Sequence, residues 1–152
     1  MVTISPEVSE TAARLGLAIT RAARRLRQEA LRAEPETELS PTLTAALATV
    51  EAHGPLTPSE LAERERVQRP TATRIVARLV ELGLAERTAD PTDGRSALVS
   101  ATPGGRALLR RLRKRKNAYL AQRLRELDPA EVATLERAAG ILERLLIQEP
   151  RR

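Results

Sequence analysis

The stretch TPSELAERERVQRPTATRIVARLVELGLAERTADPTDGRSALVSAT, from Thr57 to Thr102, decides how this chain folds. It begins on Thr57-Pro58-Ser59-Glu60, a capping box in which a hydroxyl and a carboxylate each satisfy a free backbone N–H. That predicts a short helix through about Glu65, followed by a turn over Val67 to Arg69. Pro70 suits the first turn of the next helix and Gly83 its left-handed end. Leu84 to Thr88 and Ala97 to Ala101 are β-prone runs joined by Asp90-Pro91-Thr92-Asp93-Gly94-Arg95. Helix, turn, helix, strand, charged tip, strand is the order of a winged helix-turn-helix.

The second helix of that unit carries the chemistry. At about 100° per residue, Ala72, Ile75, Val76, Leu79 and Leu82 gather on one side and require burial. Thr73, Arg74, Ala77 and Arg78 fall opposite. Arg64, Arg66, Arg69, Arg74 and Arg78 face only one acid, Glu65, between positions 64 and 80. The small Thr71, Thr73 and Ala77 permit close approach to a groove, and a threonine methyl can touch a thymine methyl. Arg74 and Arg78, one turn apart, are candidates for guanine edges or flanking phosphates. The plain alternative is a solvated basic face.

In the tip, Pro91 and Gly94 permit a tight turn that carries Arg95. A narrow minor groove focuses negative potential and attracts such an arginine without a base-specific pattern. Asp93 is then a brace that orients the Arg95 guanidinium. The alternative is an Asp/Gly hairpin turn with an incidental arginine.

Outward from this unit, Ser5-Pro6-Glu7 starts a helix, and Val8, Ala12, Leu15, Ile19, Ala22 and Leu26 recur on it at steps of four and three. That narrow seam is either an ordinary core stripe or a dimer element. Glu34-Pro35-Glu36 breaks the helix. Ser40-Pro41 opens another, with Leu43, Leu47 and Val50 inward, and His53-Gly54-Pro55 closes it. Thr102-Pro103 begins a long helix to about Leu127, with Leu108, Leu112, Tyr119 and Leu120 turned inward. Asp128-Pro129-Ala130-Glu131 caps a last helix through Leu146, where Leu135, Ala139, Leu142 and Leu146 form a second seam. Only Pro150-Arg151-Arg152 looks frayed. The expected fold is mainly α with a small β-wing, with six helices and an obligate-type dimer through the terminal ones. Its parts are an N-terminal dimerisation helix over 1–38, the winged domain over 39–106 and dimerisation helices over 107–148.

Composition narrows the chemistry. The 152 residues suffice for a real core. The net charge is +6, and 24 of the 26 basic residues are arginine, whose fork matches phosphates and guanine edges. Between Gly94 and Arg125 there are ten basic residues and no acid, which points to a polyanionic partner. Without cysteine there is no disulfide or thiolate chemistry. One histidine, no HExxH, no glycine-rich phosphate loop after a strand and no base near Ser59 or Ser96 leave no enzyme signature, so no catalytic residue, metal or cofactor is expected. Tyr119 as sole aromatic argues against modules that stack single-stranded bases. No apolar run nears about 20 residues and no signal-peptide core opens the chain, so a cytoplasmic location is expected.

With these parts assembled, the chain resembles the MarR family of bacterial transcriptional regulators. The resemblance rests on Leu56-Thr57-Pro58-Ser59-Glu60-Leu61-Ala62, on Arg69 to Val76, on Leu79 to Leu84, on the tip Asp90 to Arg95 and on Thr102-Pro103-Gly104-Gly105. It implies a homodimer with interlocked terminal helices, binding a pseudo-palindromic operator on double-stranded DNA, as a repressor. The resemblance also implies a small anionic or phenolic effector, for which His53 and Tyr119 are candidates. His53 is otherwise a helix-end residue at the negative dipole pole, and Tyr119 otherwise fills core. The basic run Arg110 to Lys116 is a phosphate-contacting flank, a rim that draws an anionic effector, or the wet side of a helix. The readings outside this one are a protein-binding winged helix and a non-specific architectural DNA binder.

Overall fold

The computed structural model describes residues 5–32, 39–94 and 96–147. Among them are six α-helices and one antiparallel hairpin: α1 (Pro6–Leu31), α2 (Pro41–His53), α3 (Pro58–Glu65), α4 (Arg69–Glu81), β1 (Ala85–Ala89), β2 (Ala97–Ala101), α5 (Pro103–Leu124) and α6 (Pro129–Leu142). A π-helical turn, Glu143–Ile147, follows α6. This is the mainly α, winged helix-turn-helix architecture expected from the sequence. The helix-breaking Glu34-Pro35-Glu36, the wing residue Arg95 and Pro150-Arg151-Arg152 lie outside the described residues.

Two compact units divide the chain between Lys116 and Asn117, within α5. The division falls there because Leu108, Leu109 and Leu112 of α5 belong to the first unit's core. That core is built from the end of α1, α2, α3, α4, the hairpin and the first half of α5. Leu47, Val50, Leu61, Val76, Leu79 and Val99 are its largest fully buried side chains. A buried leucine of this kind contributes roughly 1.5–3 kcal/mol relative to exposure. The hairpin pairs Ala85 with Ala101 and Ala89 with Ala97. Leu56 adds a bridge to Val99 on the other edge of β2, through N–H···O bonds of 3.0 and 2.7 Å, a third backbone in the sheet that the sequence pattern did not reveal.

Several boundaries moved, each for a visible reason. The first strand begins at Ala85, not Leu84, because the Leu84 N–H donates to the Leu79 carbonyl at 2.9 Å and completes the helix end around left-handed Gly83. Leu82 is half-buried rather than core. The turn between α3 and α4 is shifted back by one residue: Arg66 takes the left-handed conformation, Gln68 caps α4 and Arg69 is already helical. Helix α5 stops at Leu124, where the last turn tightens into i to i+3 bonds before Asp128 opens α6.

In the second unit, Asp128 and Glu131 form the capping box expected for α6, with bonds of 2.8 and 3.0 Å. The α-helix ends at Leu142 rather than Leu146, giving way to the π-helical turn. Tyr119 is half-buried, with the Arg123 guanidinium 5.4 Å from its ring centroid. Leu120, expected to turn inward, is 42% exposed. Leu135, Ile141 and Leu145 are also exposed. In the first unit, Val8, Leu15 and Leu17 of α1 are uncovered too, and Ala30 is that helix's only buried residue.

Candidate nucleic-acid interface

The short helix α3 is fixed at its start by the capping box. Thr57 Oγ1 accepts from the Glu60 N–H at 3.2 Å, while the Thr57 N–H donates to Glu60 Oε2 at 2.7 Å. The Thr57 backbone bond, then the Thr57 hydroxyl, holds the Glu60 carboxyl below the usual glutamate range. At the other end of α3 the Thr49 hydroxyl donates to the Glu65 carboxylate, tying it to α2. Arg113 of α5 makes a two-oxygen ion pair with Glu51 of α2 at 2.7 and 2.9 Å. The platform beneath α4 is therefore held from three helices.

Helix α4 buries Ala72, Ile75, Val76 and Leu79, as its periodicity requires. On its outer side Thr73, Arg74 and Ala77 are exposed, as is Arg69 at the first position. Thr73 donates its hydroxyl to the Arg69 carbonyl at 3.0 Å, which leaves its methyl as the outward group. Thr71 is half-buried. Arg78 is engaged by Glu81 at 2.6 Å, an acid just beyond the window in which the sequence showed only Glu65. An exposed pair of this kind is worth only a few tenths of a kcal/mol and is readily displaced.

The wing has its own order. Asp90 accepts from the Thr92 hydroxyl at 2.7 Å and the Thr92 N–H at 2.8 Å. The two bonds, the hydroxyl's first, hold the Asp90 carboxyl below its usual range. The Ser96 N–H then donates to the Asp93 carbonyl at 2.9 Å. Asp90 is thus a turn-forming acid, its carboxylate bonding the backbone two residues on. The expected brace between Asp93 and Arg95 involves a residue outside the described set.

At the far end of α4, Thr102 joins that helix to α5. Its hydroxyl donates to the Gly83 carbonyl at 2.7 Å and accepts from the Gly105 N–H at 3.0 Å. Gly105 packs so closely on the Leu84 carbonyl that no side chain fits.

A cavity of about 210 Å³ lies in the first unit among α1, α2 and α5. Its walls include Ala30, Leu31, Leu109 and Leu112, with the cations Arg27 and Lys116 and the Glu51-paired Arg113 also lining it. The basic run on α5 anticipated two of those cations; Arg27 had no sequence signal. His53 does not line this cavity, being exposed at the C-terminal end of α2, whereas the cavity uses Pro41, Thr44 and Ala48. Tyr119, in the second unit, does not line it either. Among the described residues no group of three or more His, Asp or Glu side chains is placed to hold a metal, and no helix is long and apolar enough to cross a membrane.

The MarR family's sequence model matches residues 39–97, which is α2 through the start of β2. The multiple antibiotic resistance protein MarR of Salmonella typhimurium is 35% identical over 100 residues, 65% of this chain and 69% of that protein. The chain belongs to the MarR family. An HTH-type transcriptional regulator of Mycobacterium tuberculosis is 36% identical over 136 residues, 90% of this chain and 92% of its own length. The likeness of fold extends beyond residues 39–97: the crystal structure of Streptococcus pneumoniae FabT in complex with DNA superposes with a TM-score of 0.70. That match covers 88% of this chain and 96% of FabT at 20% identity, so it speaks for the fold alone.

Proposed function

We propose that this MarR-family chain is a sequence-specific double-stranded DNA-binding transcriptional regulator, cytoplasmic, acting as a homodimer and repressing by occluding a promoter. The observation that carries it is the outer face of α4: Thr73, Arg74 and Ala77 exposed on a helix whose other side is locked in the core. In this reading α4 enters the major groove, where Arg74 takes a guanine edge and the Thr73 methyl lies against a thymine. Arg69, Thr71 and Arg78 hold flanking positions. The wing carries Arg95 toward the minor groove, oriented by Asp93. The chain's similarity along 90% of its length to an HTH-type transcriptional regulator of Mycobacterium tuberculosis supports it.

The homodimer is supported by the uncovered leucines and valine on α1 and the exposed Leu135, Ile141 and Leu145 near the C-terminal end. The segments 1–38 and 107–148 then serve dimerisation, leaving 39–106 to DNA. Two reader helices would lie roughly 34 Å apart, one turn of the duplex. A small anionic effector is favoured by the cavity with Arg27, Arg113 and Lys116 at apolar walls. His53 and Tyr119 would take part only from outside that lining. Selection of duplexes from a random library, followed by footprinting, tests the function. A two-fold related sequence protected in adjacent major grooves is expected; no enriched sequence would overturn specific recognition.

A further inference from the structure

Arg66 is the only non-glycine with positive φ among the described residues, at φ 53° and ψ 43°. It occupies the turn between α3 and α4. The Val67 N–H reaches back to the Ala62 carbonyl at 3.0 Å, and the Arg66 N–H to Glu63 at 3.2 Å. This six-to-one pattern ends a helix around a left-handed residue, a place that glycine fills without penalty. In an L-residue the Cβ crowds the following carbonyl oxygen there. The backbone therefore gains nothing from arginine at position 66.

The side chain has no employment inside the fold either. Arg66 is exposed, and among the described residues it makes no ion pair or side-chain hydrogen bond. Its neighbour Glu65 is turned to Thr49 instead. Arg64 and Arg69 are exposed on either side of it in sequence, so three arginines occupy or flank the turn that delivers the chain into α4; of the nearby acids, Glu60 is engaged by Thr57 and Glu65 by Thr49. We propose that Arg66 is a further DNA-contacting residue, its guanidinium neutralising a backbone phosphate beside the groove that α4 enters. The proposal rests on the DNA-reading function above. An arginine on a phosphate fixes register and adds affinity without reading sequence.

The test compares the full-length protein with Arg66→Gly and Arg66→Lys. Two duplexes of equal length serve as probes, one recovered by selection from a random library and one unrelated. Arg66→Gly removes strain, so its urea midpoint should rise above that of the unaltered protein. Its binding should weaken equally on both duplexes. The log–log salt slope should become shallower by about 0.9 for each Arg66 engaged, roughly eightfold in affinity per contact at 0.1 M salt if the curves converge near 1 M. Arg66→Lys should restore most of the slope, because a point charge suffices for a phosphate. An unchanged slope in Arg66→Gly, or a lowered urea midpoint, would overturn the assignment and make Arg66 structural. If the unaltered protein itself shows no salt-dependent duplex binding, the DNA-reading function fails first and the Arg66 role falls with it.

Discussion

Replacing Gly105 with alanine places a methyl where the fold has no room for one. A Cβ there would lie 2.1 Å from the Leu84 carbonyl oxygen, 3.0 Å from its carbon and 3.2 Å from Leu47 Cδ1. Ordinary contact begins near 3.4 Å, so the backbone must open by about 1.3 Å. That same Leu84 oxygen accepts the Thr102 N–H at 3.0 Å, a bond the movement would break. Overpacking costs about 1–3 kcal/mol, and a lost internal hydrogen bond about 1. The stiffer unfolded chain returns about 0.4–1. The net is a destabilisation of about 2 kcal/mol. Gly104, one position earlier, meets only Thr102 Oγ1 at 3.6 Å and the Gly83 carbonyl at 3.7 Å. Gly104→Ala should therefore stabilise, by about 0.4–1 kcal/mol. Urea denaturation at one fixed protein concentration reads both, since self-association makes stability concentration-dependent. With a slope of about 2 kcal/mol/M, Gly105→Ala lowers the midpoint by about 1 M and Gly104→Ala raises it slightly. A Gly105→Ala midpoint at or above that of the unaltered protein would refute the close-approach reasoning.

Two further expectations concern DNA and pH. Arg74→Ala should relax specificity at one half-site position by about 1–3 kcal/mol, while Arg95→Ala should weaken binding to all sequences with little preference. A base-substitution series read by equilibrium binding checks this, and equal loss across the series for both variants would defeat that division. Glu60, whose carboxyl is held below its usual range by Thr57, contributes stability present above the unfolded glutamate pKa and lost as pH falls through the lowered folded value. Glu60→Gln can keep the reciprocal hydrogen bond but cannot titrate. Its urea midpoint should therefore fall less steeply than the unaltered protein's as pH drops below the ordinary glutamate value; identical pH slopes would show that the box contributes nothing to acid sensitivity.

What the sequence revealed follows from where information is local. Capping residues and prolines act on the nearest turn, so Ser5, Ser40, Thr57, Asp128 and their following prolines marked helix starts that the structure reproduces. The buried stripe of α4 is a periodicity, and four of its five residues are core. Contacts between distant segments left no such trace. Leu56 bridging Val99, Glu65 held by Thr49 and Arg113 paired with Glu51 across 62 positions require the fold to bring them together. For the same reason the cavity walls were hidden: His53 stands out in the sequence as the only histidine, whereas Arg27 enters the cavity wall from a helix with many arginines. The left-handed Arg66 was also hidden, since arginine carries no turn signal and the sequence pattern placed the turn one residue later.

Fluorescence anisotropy of the purified protein on duplex DNA from upstream of its own gene, over a salt series and with excess unrelated competitor, puts this reading at greatest risk. Competitor-resistant binding of one dimer per duplex is expected, with a log–log salt slope of roughly −5 or steeper for about six phosphate contacts. Weak binding that is removed by competitor, together with no sequence enriched from a random library, would contradict it. Failure to bind even at low salt would turn the winged face toward a protein partner instead.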